Sequence, residues 1–259
     1  MISFLTQMIA RAGEICLAEQ NRLTSQDLEF KIPKDLVTRI DKKVEDFIIS
    51  EIRSTYPDHC ILGEETGTTQ GSAPYRWVID PIDGTTSFVH GQPFYAVSIA
   101  LEKEGAPLLA AVNAPVLNQL FHGEKGKGAF LNGAPIRVSS AQRLVDSVMA
   151  TGFACLRAGH DRNNLSHFNR IVPQLRDVRR YGSAAIDLCW VACGKVDGFW
   201  EMDLNIYDIA AGALIVTEAG GKVTDFSGNQ QIPQKGIVAA NPTLHPLLVN
   251  ELTKEAYPR

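Results

Sequence analysis

A layered α+β fold, with helices packed on sheets in two unequal halves, is what this 259-residue sequence predicts. Three observations carry that expectation. Near the N-terminus Leu5, Met8, Ile9, Ala12, Ile15 and Cys16 recur at helical spacing. The middle of the chain breaks into short apolar runs separated by Gly, Pro and Asn turns, the pattern of an antiparallel meander. From about Ser147 the rhythm becomes an alternation of strands and helices.

Taken in order, residues 3–22 and 38–55 read as amphipathic helices joined by a more extended Leu28–Pro33. Cys60-Ile61-Leu62 is a short apolar run, and Thr66–Pro74, rich in Gly, Thr and Ser, reads as a flexible connection. Trp77–Asp80, Phe94–Glu102, Leu108–Asn113, Gln119–Gly123 and Gly128–Leu131 are the expected strands of the meander. Gly126-Lys127-Gly128 lacks the spacing of a Walker loop and reads as a hairpin turn. Downstream, Val148–Thr151, Val178–Tyr181, Gly198–Met202 and Lys222–Asp225 are expected strands. Asp161–Gln174, Ala184–Gly194 and Asp208–Ala219 are the helices between them. Residues 1–146 thus make an N-terminal α+β half and 147–259 a C-terminal α/β half, with the site expected where they meet.

Bulk properties exclude more than they assign. A net charge of −4 and a pI near 5.9 give no basic field for nucleic acid or anionic lipid, so neither is an expected partner. Ile2 to Glu19 lacks the continuous apolar stretch of a signal peptide, and no run approaches membrane-spanning length. Five cysteines, an odd count without CxxC spacing, argue against a disulfide framework and against a zinc site. Cys189 and Cys193 stand four apart in an apolar helical stretch and read as core packing. The expected compartment is the cytoplasm.

The chemistry concentrates in residues 77–91. There an apolar run, Trp77 to Ile79, ends in Asp80 and Asp83 set around a proline, and Gly84, Thr85 and Thr86 read as a turn feeding a helix start. Carboxylate oxygens and loop carbonyls suit Mg²⁺, Mn²⁺ or Ca²⁺ rather than zinc or copper. Exposed amides at a helix start suit phosphate. An Asp-Pro-x-Asp-Gly segment alone is equally a common turn. Other acidic clusters in similar context weaken that bland reading: Asp35 and Asp41 on a segment entering a helix, Glu64 and Glu65 after an apolar run, and Glu201 with Asp208. No Gly-x-Ser-x-Gly elbow surrounds Ser87, Ser98 or Ser183, so no nucleophilic serine is expected. One of Arg179 and Arg180 is expected to shape the pocket or an interface, against the plainer reading of a solvated strand end.

Together these blocks resemble the inositol monophosphatase family of Mg²⁺-dependent, lithium-sensitive phosphomonoesterases. The motifs are Asp35-Leu36-Val37-Thr38 with Asp41, Gly63-Glu64-Glu65, Asp80-Pro81-Ile82-Asp83-Gly84-Thr85-Thr86, and Tyr207-Asp208-Ile209-Ala210-Ala211-Gly212 with Glu218-Ala219-Gly220-Gly221. Gly126 to Gly133 and Gly182-Ser183-Ala184-Ala185 match as well, so the resemblance covers nearly the whole chain. It implies a five-layered αβαβα sandwich, a homodimer, and two or three Mg²⁺ ions for which Mn²⁺ substitutes. It implies Glu64, Asp80, the carbonyl of Ile82, Asp83 and Asp208 as metal ligands, with Glu65 supporting from outside. Thr85, Glu64 and Asp41 would position the attacking water, and the Gly84 and Thr85 amides would hold phosphate. Glu201, Asp83 and the Gly182-Ser183-Ala184 backbone would receive substrate hydroxyls.

The implied substrate is inositol monophosphate or a similar small polyol phosphate, with histidinol phosphate as the alternative. A non-enzymatic alternative is a binding role at the transcription machinery. Three departures bear on substrate: Ser87 where the inositol branch usually has asparagine, the lead-in Asn205-Ile206-Tyr207, and His90-Gly91-Gln92 in place of a more basic segment.

Overall fold

The structure is a computed structural model that describes residues 1–24, 27–32, 35–230 and 236–254. Helix α1 (Ile2–Gln20) and helix α2 (Arg39–Thr55) lie side by side, joined through a short antiparallel pair, β1 (Leu28–Ile32) and β2 (Asp35–Thr38). Leu5, Met8, Ile9, Ala12 and Cys16 of α1 and Ile40, Val44, Ile48 and Ile52 of α2 are all buried, the stripe that helical periodicity predicts.

Next comes an eight-stranded sheet. Its strands are β3 (Cys60–Gly63), β4 (Gly67–Thr69), β5 (Tyr75–Asp83), β6 (Ala96–Lys103), β7 (Ala106–Ala114), β8 (Gln119–Glu124), β9 (Gly128–Leu131) and β10 (Ala134–Pro135). Their order is β10-β9-β8-β7-β6-β5-β3-β4. A short helix, α3 (Thr85–Val89), follows β5. Its central strands β5, β6 and β7 are buried on both faces, and their two-residue period divides them between the two sides. Trp77, Ile79, Val97, Ile99 and Leu101 pack under α1 and α2. Val78, Ala100, Ala110 and Val112 face the opposite way.

That opposite face meets α6 (Ala184–Ala192) and α7 (Ile206–Glu218), both apolar almost all round because they have sheet on either side. Small residues let the two helices approach closely: a Cβ on Gly212 would lie 2.6 Å from the Leu188 side chain. A second sheet closes over them in the order β12 (Asp177–Arg179), β11 (Val148–Thr151), β13 (Gly198–Glu201), β15 (Ile237–Ala240) and β14 (Lys222–Thr224). Its outer face carries Met149, Trp200, Val238 and Ala240, packed with Ile171 of α5 (Leu165–Ile171) and with Leu244, Leu248 and Leu252 of α8 (Leu244–Thr253). Helices, sheet, helices, sheet, helices: these are the five layers of an αβαβα sandwich.

The departures from expectation have local causes. Thr66–Pro74 contains β4, paired antiparallel with β3, so part of that connection is an edge strand. The helix expected over Asp161–Gln174 starts only at Leu165. The Asn164 amide instead donates to the Thr151 hydroxyl (2.9 Å) and the Gly152 carbonyl (2.7 Å), while its oxygen accepts from the Trp200 indole (2.9 Å). Helix α4 (Ala154–Arg157), β15 and α8 lie in stretches the sequence reading left unassigned. All five cysteines are free, with Cys16, Cys155 and Cys189 buried. Among the described residues no helix is long and apolar enough to cross a membrane.

Candidate active site

Strand direction builds the first part of the site. β3 and β5 run parallel, with Gly63 beside Ile79, so their C-terminal ends emerge together. The Glu64 amide donates to the Ile79 carbonyl at 3.2 Å, which sets Glu64 next to Asp80. Pro81 has no N–H for the ladder, and the β5–β6 register shifts between Asp80 and Asp83. The Asp80 side chain, 1% exposed, turns back to accept from the Ile82 amide at 3.0 Å.

The other carboxylates arrive from separate elements. Asp83 reaches the start of α6, accepting from the Ser183 hydroxyl at 2.6 Å and the Ala185 amide at 2.7 Å. Asp208, in the first turn of α7, accepts from the Asn205 amide at 2.5 Å. Asp41 lies in the first turn of α2 and accepts from the Thr38 amide (2.8 Å) and hydroxyl (2.7 Å), completing a capping box. Its second oxygen faces the Thr85 hydroxyl at 3.4 Å, and that hydroxyl also lies 3.1 Å from the Ile82 carbonyl. One oxygen each from Asp80, Asp83 and Asp208 lie within 4.8 Å of one another.

These acids are short of positive charge. Burial, reinforced by Glu64, Asp83, Asp208 and Asp41, holds the Asp80 carboxyl well above the usual carboxylate range. Burial and then Asp83 do the same to Asp208. Burial raises Asp83 as well, against the pull of its hydrogen bonds and of Arg157 and Arg180. Asp41 is pushed up to about 6 by burial. A cluster of oxygen donors, Asp80 buried and Asp83 and Asp208 half-buried, repelling one another fits hard divalent cations, whose charge would relieve that repulsion.

A cavity of about 190 Å³ opens onto the cluster. Of the residues predicted from sequence, Glu64, Asp80, Ile82, Thr85 and Asp208 line it, and Asp41, Asp83, Gly84, Gly182, Ser183, Ala184 and Glu201 are not in its lining. Glu201 accepts from the Ala154 amide at 3.0 Å, and a Cβ on Gly152 would overlap its carboxylate. Burial pushes the Glu201 carboxyl up to about 7. Ser183 spends its hydroxyl on Asp83. Gly84 has φ +94°, and its close neighbours are the Phe94 and Gly182 carbonyls, so glycine here lets two chain segments of the protein itself come together. Of the two arginines, Arg179 pairs with Asp177 at 2.5 Å; the Arg180 guanidinium lies against Gly182, and its charge acts on Asp83 and Glu201.

Sequence reasoning missed the far wall, made of Ala154, Arg157, Ala158 and Asp203 beside Asn205 and Tyr207. Asp203 adopts φ +60° and pairs with His160 at 2.8 Å, tying the end of α4 to the loop before α7. The unusual Asn205-Ile206-Tyr207 lead-in was the available signal for this wall; Arg157 and His160 carried none.

The family model described as the inositol monophosphatase family matches residues 1–257. The chain belongs to that family of phosphatases. An inositol-1-monophosphatase from Mesorhizobium japonicum is 38% identical over 98% of this chain and 96% of its own length. A protein named Nus factor SuhB from Pseudomonas aeruginosa is 42% identical over 93% of this chain and 91% of its own. The crystal structure of extragenic suppressor protein suhB from Bartonella henselae superposes with a TM-score of 0.91 at 39% identity, covering 97% of this chain and 98% of that one. The family gives the acidic cluster its context: its members are generally metal-dependent, and Asp80, Asp83 and Asp208 form a group that could hold a metal ion.

Proposed function

We propose that this protein is a Mg²⁺-dependent phosphomonoesterase that hydrolyses inositol monophosphate or a similar small polyol phosphate by attack of a metal-activated water. The observation that carries the reading is the convergence of Asp80, Asp83 and Asp208, within 4.8 Å, from the ends of β5 and the start of α7. In this reading Glu64, Asp80, the Ile82 carbonyl, Asp83 and Asp208 hold the ions, with residues 1–146 supplying most ligands and 147–259 supplying Asp208 and Glu201. When bound, the ions supply positive charge to the phosphoryl oxygens and a water of lowered pKa.

The chain's own groups do the rest. The Thr85 hydroxyl, donating toward Asp41, offers its lone pairs to orient the attacking water together with Glu64. The Gly84 and Thr85 amides donate to phosphate. Glu201, Asp83 and the Gly182-Ser183-Ala184 backbone receive the substrate's hydroxyls. We place the protein in the cytoplasm as a homodimer, with no membrane or direct nucleic-acid partner. Phosphate release from a panel of inositol monophosphate, histidinol phosphate, fructose bisphosphate and nucleotide monophosphate, abolished by EDTA, tests the reaction and the substrate together. Preference for histidinol phosphate would move the chain to that alternative. No EDTA-sensitive release from any of them would favour the second reading, a binding role at the transcription machinery, which the SuhB-named relative supports.

Two further outcomes are expected. Glu201→Gln should raise KM for inositol monophosphate far more than for glycerol 2-phosphate, because a charge-assisted hydrogen bond of about 1.5–3 kcal/mol is lost only where ring hydroxyls are present. Equal kinetic losses would remove Glu201 from recognition. Lithium should inhibit uncompetitively in the millimolar range, and excess Mg²⁺ should inhibit through the same site; indifference to both ions would point to a different second metal position.

A further inference from the structure

Glu45 is fully buried, yet it belongs to none of the motifs above. It stands one turn after Asp41 on α2, so both acids lie on the helix face turned toward the site. Its two carboxylate oxygens accept from consecutive backbone amides, Glu65 at 3.0 Å and Thr66 at 2.7 Å. Those amides belong to the turn that immediately follows Glu64. A buried carboxylate satisfied by backbone N–H groups is an anchor for that backbone.

Gly63 shows how tightly the anchor sits. A Cβ there would lie 2.5 Å from the Glu45 carboxyl carbon and 2.5 and 2.6 Å from its two oxygens. The carboxylate therefore lies flat over Gly63, and a side chain there would push it aside. The Gly-Glu-Glu turn is thus held on both sides: the Glu64 amide bonds to the Ile79 carbonyl, and the next two amides bond to Glu45. Helix α2 braces the site twice, with Asp41 on Thr85 and Glu45 on the Glu64 turn.

We propose that Glu45 is a positioning residue of the metal centre, its carboxylate fixing the turn that presents Glu64 beside Asp80. The inference rests on the metal-centred reading of the site. Groups that orient metal ligands from behind are worth about 10- to 100-fold in metal affinity, which sets the expected size of the effect. Glutamine at this position would turn an NH₂ group toward an N–H and lose one bond of the pair.

The test is Mn²⁺ binding to the full-length chain, followed by electron paramagnetic resonance, with thermal melting as the check on folding. Glu45→Gln should weaken Mn²⁺ binding about 10- to 100-fold, and turnover should approach the wild-type maximum at a correspondingly higher optimal Mg²⁺ concentration. Gly63→Ala keeps the negative charge but displaces the carboxylate, and should weaken Mn²⁺ binding in the same range. Asp46→Asn removes an exposed acid next along the helix and should change affinity by no more than about twofold, since exposed charge is screened.

Folded Glu45→Gln and Gly63→Ala proteins that bind Mn²⁺ like wild type would overturn the role. Equal weakening by Asp46→Asn would also overturn it, by showing a long-range charge effect. If Glu45→Gln does not fold, Gly63→Ala decides; if neither folds, Glu45 is only structural and the inference fails. Wild-type protein that binds no Mn²⁺ would overturn the metal centre itself, a result distinct from unchanged binding in the variants.

Discussion

Asp80→Asn is expected to lower kcat by about 10³-fold or more while leaving the fold intact, since it removes a charged ligand from the clamp that stabilises the transition state. The substitution is nearly isosteric, and the asparagine oxygen can still accept from the Ile82 amide, as the Asp80 oxygen does at 3.0 Å. The local turn therefore has no reason to open. The stability readout separates this account from simple damage. In the metal-free chain Asp80 is a buried carboxyl crowded by Glu64, Asp83, Asp208 and Asp41, all of the same sign. Neutralising it removes repulsion, so the metal-free melting temperature should hold or rise. Wild-type protein should also gain stability as Mg²⁺ is added, because a cation that binds only the folded chain shifts the equilibrium toward it. Asp80→Asn should lose most of that Mg²⁺-dependent gain. A folded variant with near-wild-type turnover at moderate Mg²⁺ would refute the assignment, and a variant that melts far lower without metal would show that Asp80 is structural.

How much of a site is legible in sequence depends on how local each determinant is. The strand-end acids were legible because the signal is contiguous: an apolar run, then hard oxygen donors, at Ile79-Asp80 and again at Leu62-Gly63-Glu64. The helices α1 and α2 were legible because each buries one stripe against a single sheet face. α8 was not assigned, although it shows the same kind of stripe in Leu244, Leu248 and Leu252. α4 is only four residues long, too short for any period to register. The far wall of the cavity was invisible for another reason: it exists only where the end of α4 meets the loop before α7, joined by His160 and Asp203 forty-three residues apart. Glu45 was hidden in a similar way, since its partners are the amides of Glu65 and Thr66, twenty and twenty-one residues on. A pattern in sequence marks which face of an element is buried, and says little about which backbone amide a buried carboxylate will meet.

Gly84→Ala is the second substitution expected to act strongly, here through the backbone. Gly84 holds φ +94° between β5 and α3, a conformation that costs an L-residue roughly 1–2 kcal/mol. Space is the larger difficulty, because a Cβ there would lie 2.7 Å from the Phe94 carbonyl oxygen and 3.1 Å from that of Gly182. Neither oxygen belongs to a flexible side chain, so one segment must move. The segments that would move carry Asp83 and Thr85 on one side and Ser183 on the other, the pair whose 2.6 Å bond joins the end of β5 to α6. The expected cost is about 3 kcal/mol in total, a fall of roughly 6–12 °C in melting temperature for a chain of this size. Displacing Thr85 and the amides beside it by even a fraction of an ångström should lower kcat by about 10²-fold. Gly91→Ala supplies the control. Its φ is +66° and nothing lies within 4 Å of a Cβ, so it carries the strain without the collision and should cost only about 1 kcal/mol. Similar losses for the two variants would mean that the approach of the Phe94 and Gly182 carbonyls imposes no constraint at Gly84. A much larger loss at Gly84 would show that this contact between chain segments holds the catalytic turn in place.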